Sequence, residues 1–489
     1  MRKGIKPSLR NVNLSTLLTI RNIGVLLTAT VILIGCVIYQ KQKQDISYCN
    51  NCNLIIISVD TLRADHMGTY GYKKDTTPNI DLWAKTANIF EKMYTVFPMT
   101  AQSFYTLFTG QTTVLSDKNL QSSHPLSLNN NEYLKVKRLP KILKENGYVN
   151  AAFVTNPVME FFSPFFKANF DSYNFINTSG FAYTNPAVYM FAYSDQNVVS
   201  KKAVTFLKNN QKGKFFLWLH YLNPHHPYNP SWQYVCEVDK KYCNINQTSI
   251  LNPEESRDNC MTKLSENDLG KEIALYDGEI RQTDDQVGQV LSAIKNLHLD
   301  RNTIVVFYAD HGEGFDHDMY HHGNALYESS VHIPFIVSLP GNSPHKIKGL
   351  VDNSDILPGI LSLLGISRKP TLLTSLLSNP GSKGKQYVHF MTPVNMTGRK
   401  GITDGTNKYI ETGSTFCRYK SYSEEIYDIQ ADPQEQNNIL EKSHDISNRL
   451  KAQMHKYFNA SKPSTVKEDS KNASENEREI INTLKEIGY

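Results

Sequence analysis

The strongest constraint on how this chain folds is an apolar run that ends in a carboxylate and an imidazole. Residues 303–309 are β-branched, aromatic or small, which predicts a strand buried on both faces of a sheet. Asp310 and His311 follow directly, at the end where an open α/β sheet presents its ligands. An isolated Asp-His pair is usually a capping acid beside a surface histidine. The same segment holds four more histidines, which favours metal ligands or proton carriers: His317, His321, His322 and His332.

A second buried run, residues 53–60, also ends in a carboxylate, Asp60, and Arg63 follows three residues later. Because parallel strands present their carboxyl ends at one edge of a sheet, the two acidic strand ends predict one shared pocket. Arg63 is then a candidate contact for an anionic substrate.

The charge balance excludes nucleic acid as a partner. Lys and Arg number 52 against 47 Asp and Glu in 489 residues. Five of the basic residues precede the first apolar segment, at Arg2, Lys3, Lys6, Arg10 and Arg21. The rest of the chain carries 47 charges of each sign, so it lacks the excess of basic residues that nucleic-acid binding requires.

The N-terminal region predicts a membrane anchor. Residues 23–39 form an uncharged apolar stretch, preceded by a basic leader at 1–22 and followed by a polar linker at 40–52. Such a stretch is at the short end of what spans a bilayer, and the positive-inside rule keeps the leader in the cytoplasm. The competing interpretation is a lipoprotein signal that ends at Cys36. Both place the folded domain outside the cytoplasmic membrane or in a secretory lumen.

Cysteine usage agrees with an oxidising compartment. Setting Cys36 aside leaves six of the seven cysteines, although their pairing cannot be deduced from sequence. The pairs considered are Cys49 with Cys52, Cys236 with Cys243, and Cys260 with Cys417. The first pair precedes any strand and has no βαβ unit around it, which favours a local clip over a redox motif.

Two hydroxyl residues lie at the start of a predicted helix. Thr100 and Ser103 follow Pro98, and the helix is expected to end near Gly110. Hydroxyls at a helix start are usually caps. The functional alternative is a nucleophile directed at an anionic ester and assisted by the positive end of the helix. Spacing alone leaves both open.

The remaining apolar runs predict a large α/β domain. A strand at 214–228 ends in His225 and His226, either of which is a candidate third strand-end ligand. Insertions at 160–195 and 231–266 interrupt the pattern. Further helices are predicted at 78–90, 272–297 and 355–364, a helix and strand within 139–157, and strands at 332–338, 386–391 and 407–411.

Several segments together resemble the sulfatase-like branch of the alkaline phosphatase superfamily. They are residues 55–72, 77–90, 100–110, 220–228, 276–291, 310–313 with 321–323, and 424–439. The resemblance implies a central, mostly parallel sheet flanked by helices in a catalytic domain at 53–440. Its smaller C-terminal subdomain would occupy about 380–440, and a polar helical tail at 441–489 would carry no chemistry.

The resemblance also implies roles for individual residues. Thr100 falls at the nucleophile position, and His225 and His322 match positions that contact the anionic group or the leaving oxygen. The implied metal ligands are Asp60, Thr100, Asp310 and His311. The expected substrate contacts are Arg63, Ser103, Thr155 and His226.

Departures from the family pattern point to a threonine-nucleophile branch. Familiar sulfatases convert Cys or Ser in a Cys-x-Pro-x-Arg motif to formylglycine, whereas this chain has Thr100, Gln102 and Phe104 there. Thr155 stands where a lysine is expected. These replacements look more like phosphoryl-processing relatives. His311 as a ligand favours one Mn or Zn ion over Ca, which prefers oxygen ligands.

Three functional hypotheses follow from these residues. The leading one is a membrane-anchored, metal-dependent hydrolase of a phosphate or sulfate ester, with phosphoryl substrates favoured and Thr100 as nucleophile. The second is a phosphotransferase that moves a phosphoryl-linked head group to a lipid or glycan. The third is a non-catalytic binding protein on the same fold.

Overall fold

A computed structural model gives the fold. It describes residues 48–112, 136–161, 163–176, 196–243, 264–317, 319–320, 322–392, 398–413 and 423–460. The predicted leader, the predicted membrane segment, His321 and the pair Cys260 and Cys417 lie outside these ranges. Within them, no helix combines the length and apolar character needed to cross a bilayer.

The strands of the described part alternate with helices over most of the chain. In chain order they are β1 (Asn53–Val59), β2 (Asn88–Phe90), β3 (Met93–Tyr94), β4 (Val149–Val154), β5 (Ser172–Phe175), β6 (Phe215–Tyr221), β7 (Thr303–Ala309), β8 (Phe315–Asp316), β9 (Met319–Tyr320), β10 (Phe335–Ser338), β11 (Lys346–Ile347), β12 (Val351–Asp352), β13 (Val388–Met391), β14 (Lys400–Thr403), β15 (Asn407–Thr412) and β16 (Ser423–Asp428).

The helices vary widely in length. They are α1 (Pro78–Ala84), α2 (Thr100–Thr109), α3 (Leu139–Glu145), α4 (Val158–Phe161), α5 (Ser163–Phe166), α6 (Gln196–Asn209), α7 (Trp232–Val238), α8 (Glu266–Asn296), α9 (Glu328–Val331), α10 (Ile356–Leu363), α11 (Leu372–Ser378) and α12 (His444–Ala460).

The central sheet has eight strands in the order β11-β2-β10-β7-β1-β6-β4-β5. Neighbouring strands are parallel except where β10 pairs with β7 and with β2. Strands β1, β6 and β7 are buried along their whole length, which is the environment that continuous apolar runs predict. The large, mostly parallel sheet confirms the predicted α/β class.

The C-terminal subdomain is an antiparallel sheet covered by a helix. Strands β13 to β16 pair in sequence order, and α12 packs on them. Leu450 and Met454 of α12 are fully buried against Ile402, Tyr409 and Ile426. The expectation of a solvated tail after residue 440 is therefore wrong for α12, because one face of this mostly polar helix completes the subdomain core.

Several element boundaries differ from their predicted positions. Helix α8 begins at Glu266 rather than at 272, because the Ser265 side chain accepts the N–H of Asp268 as an N-cap. Helix α1 ends at Ala84, and the predicted continuation to residue 90 contains strand β2 instead. Strand β10 starts only at Phe335, since α9 precedes it, and strands β14 and β16 were not predicted.

Two disulfides join cysteines that are close in sequence. Cys49 pairs with Cys52 near the start of β1, and Cys236 within α7 pairs with Cys243, which follows that helix. Both are among the pairs considered from the sequence, and the first is a local clip.

Candidate active site

The two acidic strand ends meet at one edge of the central sheet. Val59 of β1 is in register with Ala309 of β7, so the next residues, Asp60 and Asp310, emerge side by side. One ligand atom from each of Asp60, Asp310 and His311 lies within 4.8 Å of the others, and all three residues are fully buried. The predicted convergence of these strand ends is present in the fold.

Each carboxylate keeps one oxygen free of hydrogen bonds within the described residues. Asp60 Oδ2 accepts the side-chain amide of Asn156, while Oδ1 has no such partner. Asp310 Oδ1 accepts the backbone N–H groups of Thr61 and His311 at 3.3 and 3.0 Å, while Oδ2 has no such partner. Buried carboxylate oxygens without donors are costly unless a cation faces them, so this donor set fits a divalent metal ion.

The two carboxylates perturb one another. Burial raises the pKa of Asp310 well above its usual value, and the neighbouring charge of Asp60 raises it further. For Asp60, burial acts in the same direction, but the hydrogen bond of His220 and the charges of His225 and His311 outweigh it. The pKa of Asp60 is therefore held below its usual range. Two acids placed this close favour a bound cation, which relieves their repulsion.

His311 directs a ring nitrogen at the same point. Its Nδ1 lies 3.0 Å from the carbonyl oxygen of Gly312, which can only accept, so Nδ1 carries the hydrogen. Nε2 therefore presents a lone pair, and it lies 3.7 Å from Asp60 Oδ1 and 3.5 Å from Asp310 Oδ2. A backbone carbonyl that fixes the tautomer is the usual outer support of a metal-binding histidine.

Thr100 is the first residue of α2, and its side chain faces this cluster. Its Oγ1 lies 3.2 Å from His311 Nε2, and the residue is fully buried. The N-cap position belongs to Met99, and no side chain caps the helix. The capping alternative for Thr100 is therefore not what the structure shows, and its hydroxyl is available for chemistry.

Two further histidines border the cluster. The His322 ring lies 4.4 Å from the His311 ring and 4.9 Å from the His225 ring. His322 Nδ1 is 3.3 Å from Glu313 Oε1, and His225 Nδ1 is 2.5 Å from the carbonyl of His226. Burial, reinforced by the His311 charge, lowers the pKa of His322 to about 3. Burial also lowers the pKa of His225.

Two expected substrate contacts are instead bonded within the protein. Ser103 Oγ donates to the carbonyl of Asp310 at 2.8 Å and lies 2.5 Å from the Tyr308 hydroxyl. Thr155 Oγ1 donates to the carbonyl of His220 at 3.1 Å. Both residues are buried and hold strand ends and α2 together, so their contacts indicate a structural role.

The guanidinium of Arg63 is bonded within the protein as well. Its guanidinium binds the Asp65 carboxylate through Nε and Nη2 at 2.8 and 2.7 Å, and Nη1 donates to the Glu313 carbonyl at 3.2 Å. These bonds hold the guanidinium against the loop after β1. His226 is buried, with its ring 5.3 Å from that of Tyr228.

Two side chains that contact Asp60 were missed in the sequence. Asn156 follows β4, and His220 lies within β6 with its Nε2 3.4 Å from Asp60 Oδ2. His220 is the polar interruption of an apolar strand, and Ser58 is its register partner on β1. That interruption was the available signal, since a buried strand rarely carries a histidine without a partner.

Comparison with known proteins places the chain in a family. The Sulfatase family model matches residues 52–366, and the model for N-sulphoglucosamine sulphohydrolase, C-terminal, matches residues 316–461. An arylsulfatase of Clostridium perfringens is 25% identical over 79% of this chain and 90% of its own length. An ulvan-active sulfatase of Formosa agariphila is 25% identical over 83% and 80%. The crystal structure of a putative sulfatase from Bacteroides thetaiotaomicron superposes with a TM-score of 0.65 at 22% identity, covering 86% and 96%.

The fold and the site together define a metal-dependent ester hydrolase. The chain belongs to the sulfatase family, as its sequence motifs predict. The Asp60, Asp310 and His311 cluster is the part of the described chain that suits the metal on which that family depends.

Proposed function

We propose that this protein hydrolyses a sulfate ester on a glycan, with Thr100 as the nucleophile. One relative is named for its activity on ulvan and another as an arylsulfatase, which supports a sulfate ester and a glycan. The observation that carries the proposal is the position of Thr100. Its Oγ1 lies 3.2 Å from His311 Nε2, beside carboxylate oxygens that lack donors within the described residues.

The ion-binding atoms in this proposal are Asp60 Oδ1, Asp310 Oδ2 and His311 Nε2, with Thr100 as a further ligand. A divalent cation there would neutralise ester oxygens and lower the pKa of the nucleophilic hydroxyl. The nitrogen ligand favours Mn or Zn over Ca, because Ca binds oxygen ligands almost exclusively.

The side chains divide the remaining work. Thr100 Oγ1 attacks the sulfur, a Thr–O–S bond forms, and the bond from sulfur to the leaving glycan oxygen breaks. The lowered pKa values leave His225 and His322 neutral, so one of these rings takes up the proton that Thr100 releases and passes it to the leaving oxygen, since both rings border the cluster. Water then attacks the sulfur of the intermediate, which releases sulfate and regenerates Thr100.

A phosphate ester is the second candidate, and two residues favour it. Phe104 stands at the arginine position of the formylglycine motif, and Thr155 stands at the expected lysine. Both side chains are buried and uncharged, so neither supplies the positive charge that arginine or lysine would bring at these positions. A site with an unmodified threonine suits a phosphothreonine intermediate, which water can open.

A matched substrate panel separates these candidates. Purified protein with Mn²⁺ or Zn²⁺ is assayed on aryl sulfate, aryl phosphate, an aryl phosphodiester and a sulfated oligosaccharide. Faster turnover of the sulfate esters supports the proposal, whereas turnover of phosphate esters alone supports the second candidate, a phosphate ester hydrolase. Activity that is unchanged in Thr100→Ala contradicts Thr100 as the nucleophile. Protein that binds neither metal and turns over none of these substrates favours a binding protein.

The transferase alternative needs a different readout. An adduct on Thr100 is accumulated by rapid quench and identified by mass spectrometry. Release by water alone supports hydrolysis. Release that accelerates with an added alcohol, with transfer of the group to that alcohol, supports a transferase.

We also propose that residues 23–39 hold the domain at the outer face of a membrane. The disulfides Cys49–Cys52 and Cys236–Cys243 support an oxidising compartment. Mass spectrometry of the mature N-terminus tests the anchor. An intact leader supports it, whereas a first residue at Cys36 supports a lipoprotein.

A further inference from the structure

A chain of buried polar side chains crosses from β6 to the metal cluster. Ser58 of β1 and His220 of β6 are register partners, and Asp60 follows on the same side of β1. His220 Nδ1 lies 3.0 Å from Ser58 Oγ, and His220 Nε2 lies 3.4 Å from Asp60 Oδ2. All three residues are fully buried, so water cannot replace these contacts.

The hydrogen bonds of Ser58 constrain how His220 faces Asp60. Ser58 Oγ donates to the Leu219 carbonyl at 2.9 Å and accepts the indole N–H of Trp218 at 3.1 Å. Ser58 has a single hydroxyl hydrogen. When that hydrogen goes to His220 Nδ1, the neutral ring carries its own hydrogen on Nε2, the atom that faces Asp60 Oδ2.

The two oxygens of Asp60 therefore have different environments. Oδ2 accepts the amide of Asn156 and lies 3.4 Å from His220 Nε2. Oδ1 has no hydrogen-bond partner in the described part of the chain and lies 3.7 Å from His311 Nε2. Fixing one oxygen of a carboxylate is a way to direct the other, because the carboxyl plane can no longer rotate.

The same ring also supports the helix that carries the nucleophile. Phe104 of α2 meets His220 edge-on at 4.9 Å and Trp218 at 5.1 Å between ring centroids. Phe104 occupies the motif position where familiar sulfatases have arginine. His220 thus contacts both Asp60 and the helix of Thr100 from one buried position.

We propose that His220 and Asn156 are positioning residues that orient Asp60 so that Oδ1 alone faces the metal ion. This inference rests on the metal site of the proposed function.

Metal affinity tests the inference without using the reaction. Metal-stripped wild type, His220→Phe and Asn156→Ala are titrated with MnCl₂ by calorimetry. We expect both variants to bind Mn²⁺ about 10–100-fold more weakly, because outer contacts of metal ligands contribute on that scale. His220→Gln retains a side-chain N–H and is expected to recover most of the affinity.

Tyr221→Phe is the matched control. Tyr221 is the next residue of the same strand, is equally buried, and bonds to Ser200 through its hydroxyl at 2.9 Å. Removing that hydroxyl perturbs β6 without touching Asp60. Unchanged Mn²⁺ affinity is therefore expected for this variant.

The outcomes distinguish this inference from the proposed function. Wild-type binding with equal affinity in His220→Phe and Asn156→Ala overturns the positioning role alone. So does a Tyr221→Phe variant that loses as much affinity as His220→Phe. If His220→Phe does not fold, Asn156→Ala decides, since Asn156 lies in the loop after β4. Wild type that binds neither Mn²⁺ nor Zn²⁺ overturns the metal site itself.

Discussion

Two buried clusters of charged side chains in this molecule solve the same electrostatic problem differently. One is the metal cluster of Asp60, Asp310 and His311 at the edge of the central sheet. The other joins Glu328 of α9 to Lys408 of β15 and to Glu435, which follows β16. The first lies within the catalytic sheet, and the second ties the C-terminal subdomain to it.

The second cluster contains its own cation. Lys408 is fully buried, and its Nζ lies 2.7 Å from Glu328 Oε1 and 2.9 Å from Glu435 Oε1. Burial raises the pKa of Glu435 to about 8. For Glu328, burial is outweighed by the charge of Lys408, so its pKa is lowered. At neutral pH one ammonium therefore balances one carboxylate, and the cluster needs nothing from outside.

The metal cluster lacks an equivalent ammonium or guanidinium among its described contacts. Two carboxylate oxygens have no hydrogen-bond donor there, and the pKa of Asp310 is raised by burial and by Asp60. Burial and charge alone thus do not distinguish a binding site from a structural ion pair. The distinguishing property is whether the protein itself supplies the opposite charge.

The largest expected effect is loss of Thr100, the proposed nucleophile. Thr100→Ala is expected to lower kcat by at least about a thousandfold, because it removes the hydroxyl that lies 3.2 Å from His311 Nε2. Thr100→Ser is the matched control and should keep measurable turnover. Steady-state kinetics with a thermal melt measures both, and wild-type turnover by Thr100→Ala would place the chemistry elsewhere.

Removing the internal cation should strongly destabilise the second cluster. Lys408→Met is expected to lower the free energy of unfolding by about 3–5 kcal/mol, because it removes the buried cation that faces the Glu328 carboxylate. The double variant with Glu328→Gln should recover much of that loss. Denaturant unfolding measures all three proteins. A loss that the second substitution does not reduce would show that packing, not charge, dominates.

Neutralising one acid of the metal cluster should increase the stability of the metal-free protein, whereas removing Lys408 lowers stability. In metal-free protein, Asp310→Asn is expected to raise the free energy of unfolding by about 1–3 kcal/mol, because it removes a like charge beside Asp60. The variant should lose the stabilisation that added Mn²⁺ gives to wild type. Unfolding is measured with chelator and with metal at pH 8. Destabilisation of the metal-free variant would contradict the repulsion.

Glu279 of α8 offers the smallest and most pH-dependent test. Its carboxyl is buried, accepts the backbone N–H of Asn229, and has its pKa raised from 4.5 to about 8 by burial. Between these values the unfolded chain loses the proton while the folded chain retains it. Stability should therefore fall as pH rises through this window and be highest below it.

Glu279→Gln should remove that slope. The variant is expected to be more stable than wild type by about 1–2 kcal/mol at pH 9 and nearly equal to it at pH 4.5. Thermal unfolding across this pH range measures the difference. A constant difference at every pH would show that the substitution acts through shape rather than charge.

The parts of the site that follow from strand ends were predictable. Continuous apolar runs identify β1 and β7, and parallel pairing brings Asp60 and Asp310 to one edge. Thr100 was a candidate from its place at a helix start, and the structure places its hydroxyl beside His311 rather than in a helix cap. Hydropathy and motif spacing therefore recover the elements nearest the chemistry.

Other features of the site could not be predicted, because they depend on contacts between side chains that are far apart in sequence or that the order of residues does not reveal. The sequence makes Arg63 a candidate substrate contact, and the structure shows its guanidinium bound to the Asp65 carboxylate. Ser103 is another example, because its hydroxyl is bonded to Asp310 and Tyr308. His220 acquires its role from Asp60 on a neighbouring strand, far away in sequence.

The packing of α12 has a consequence for protein synthesis. Tyr457 of this helix lies 3.0 Å from Thr112 through its hydroxyl, just beyond the helix that begins with Thr100. Glu435 accepts the backbone N–H of Glu328 at 2.5 Å, a few residues after His322. A nascent chain that has emerged only through its metal-binding residues still lacks these supports. Catalytic competence is therefore expected to arise late in translation, after residues up to 460 have left the ribosome.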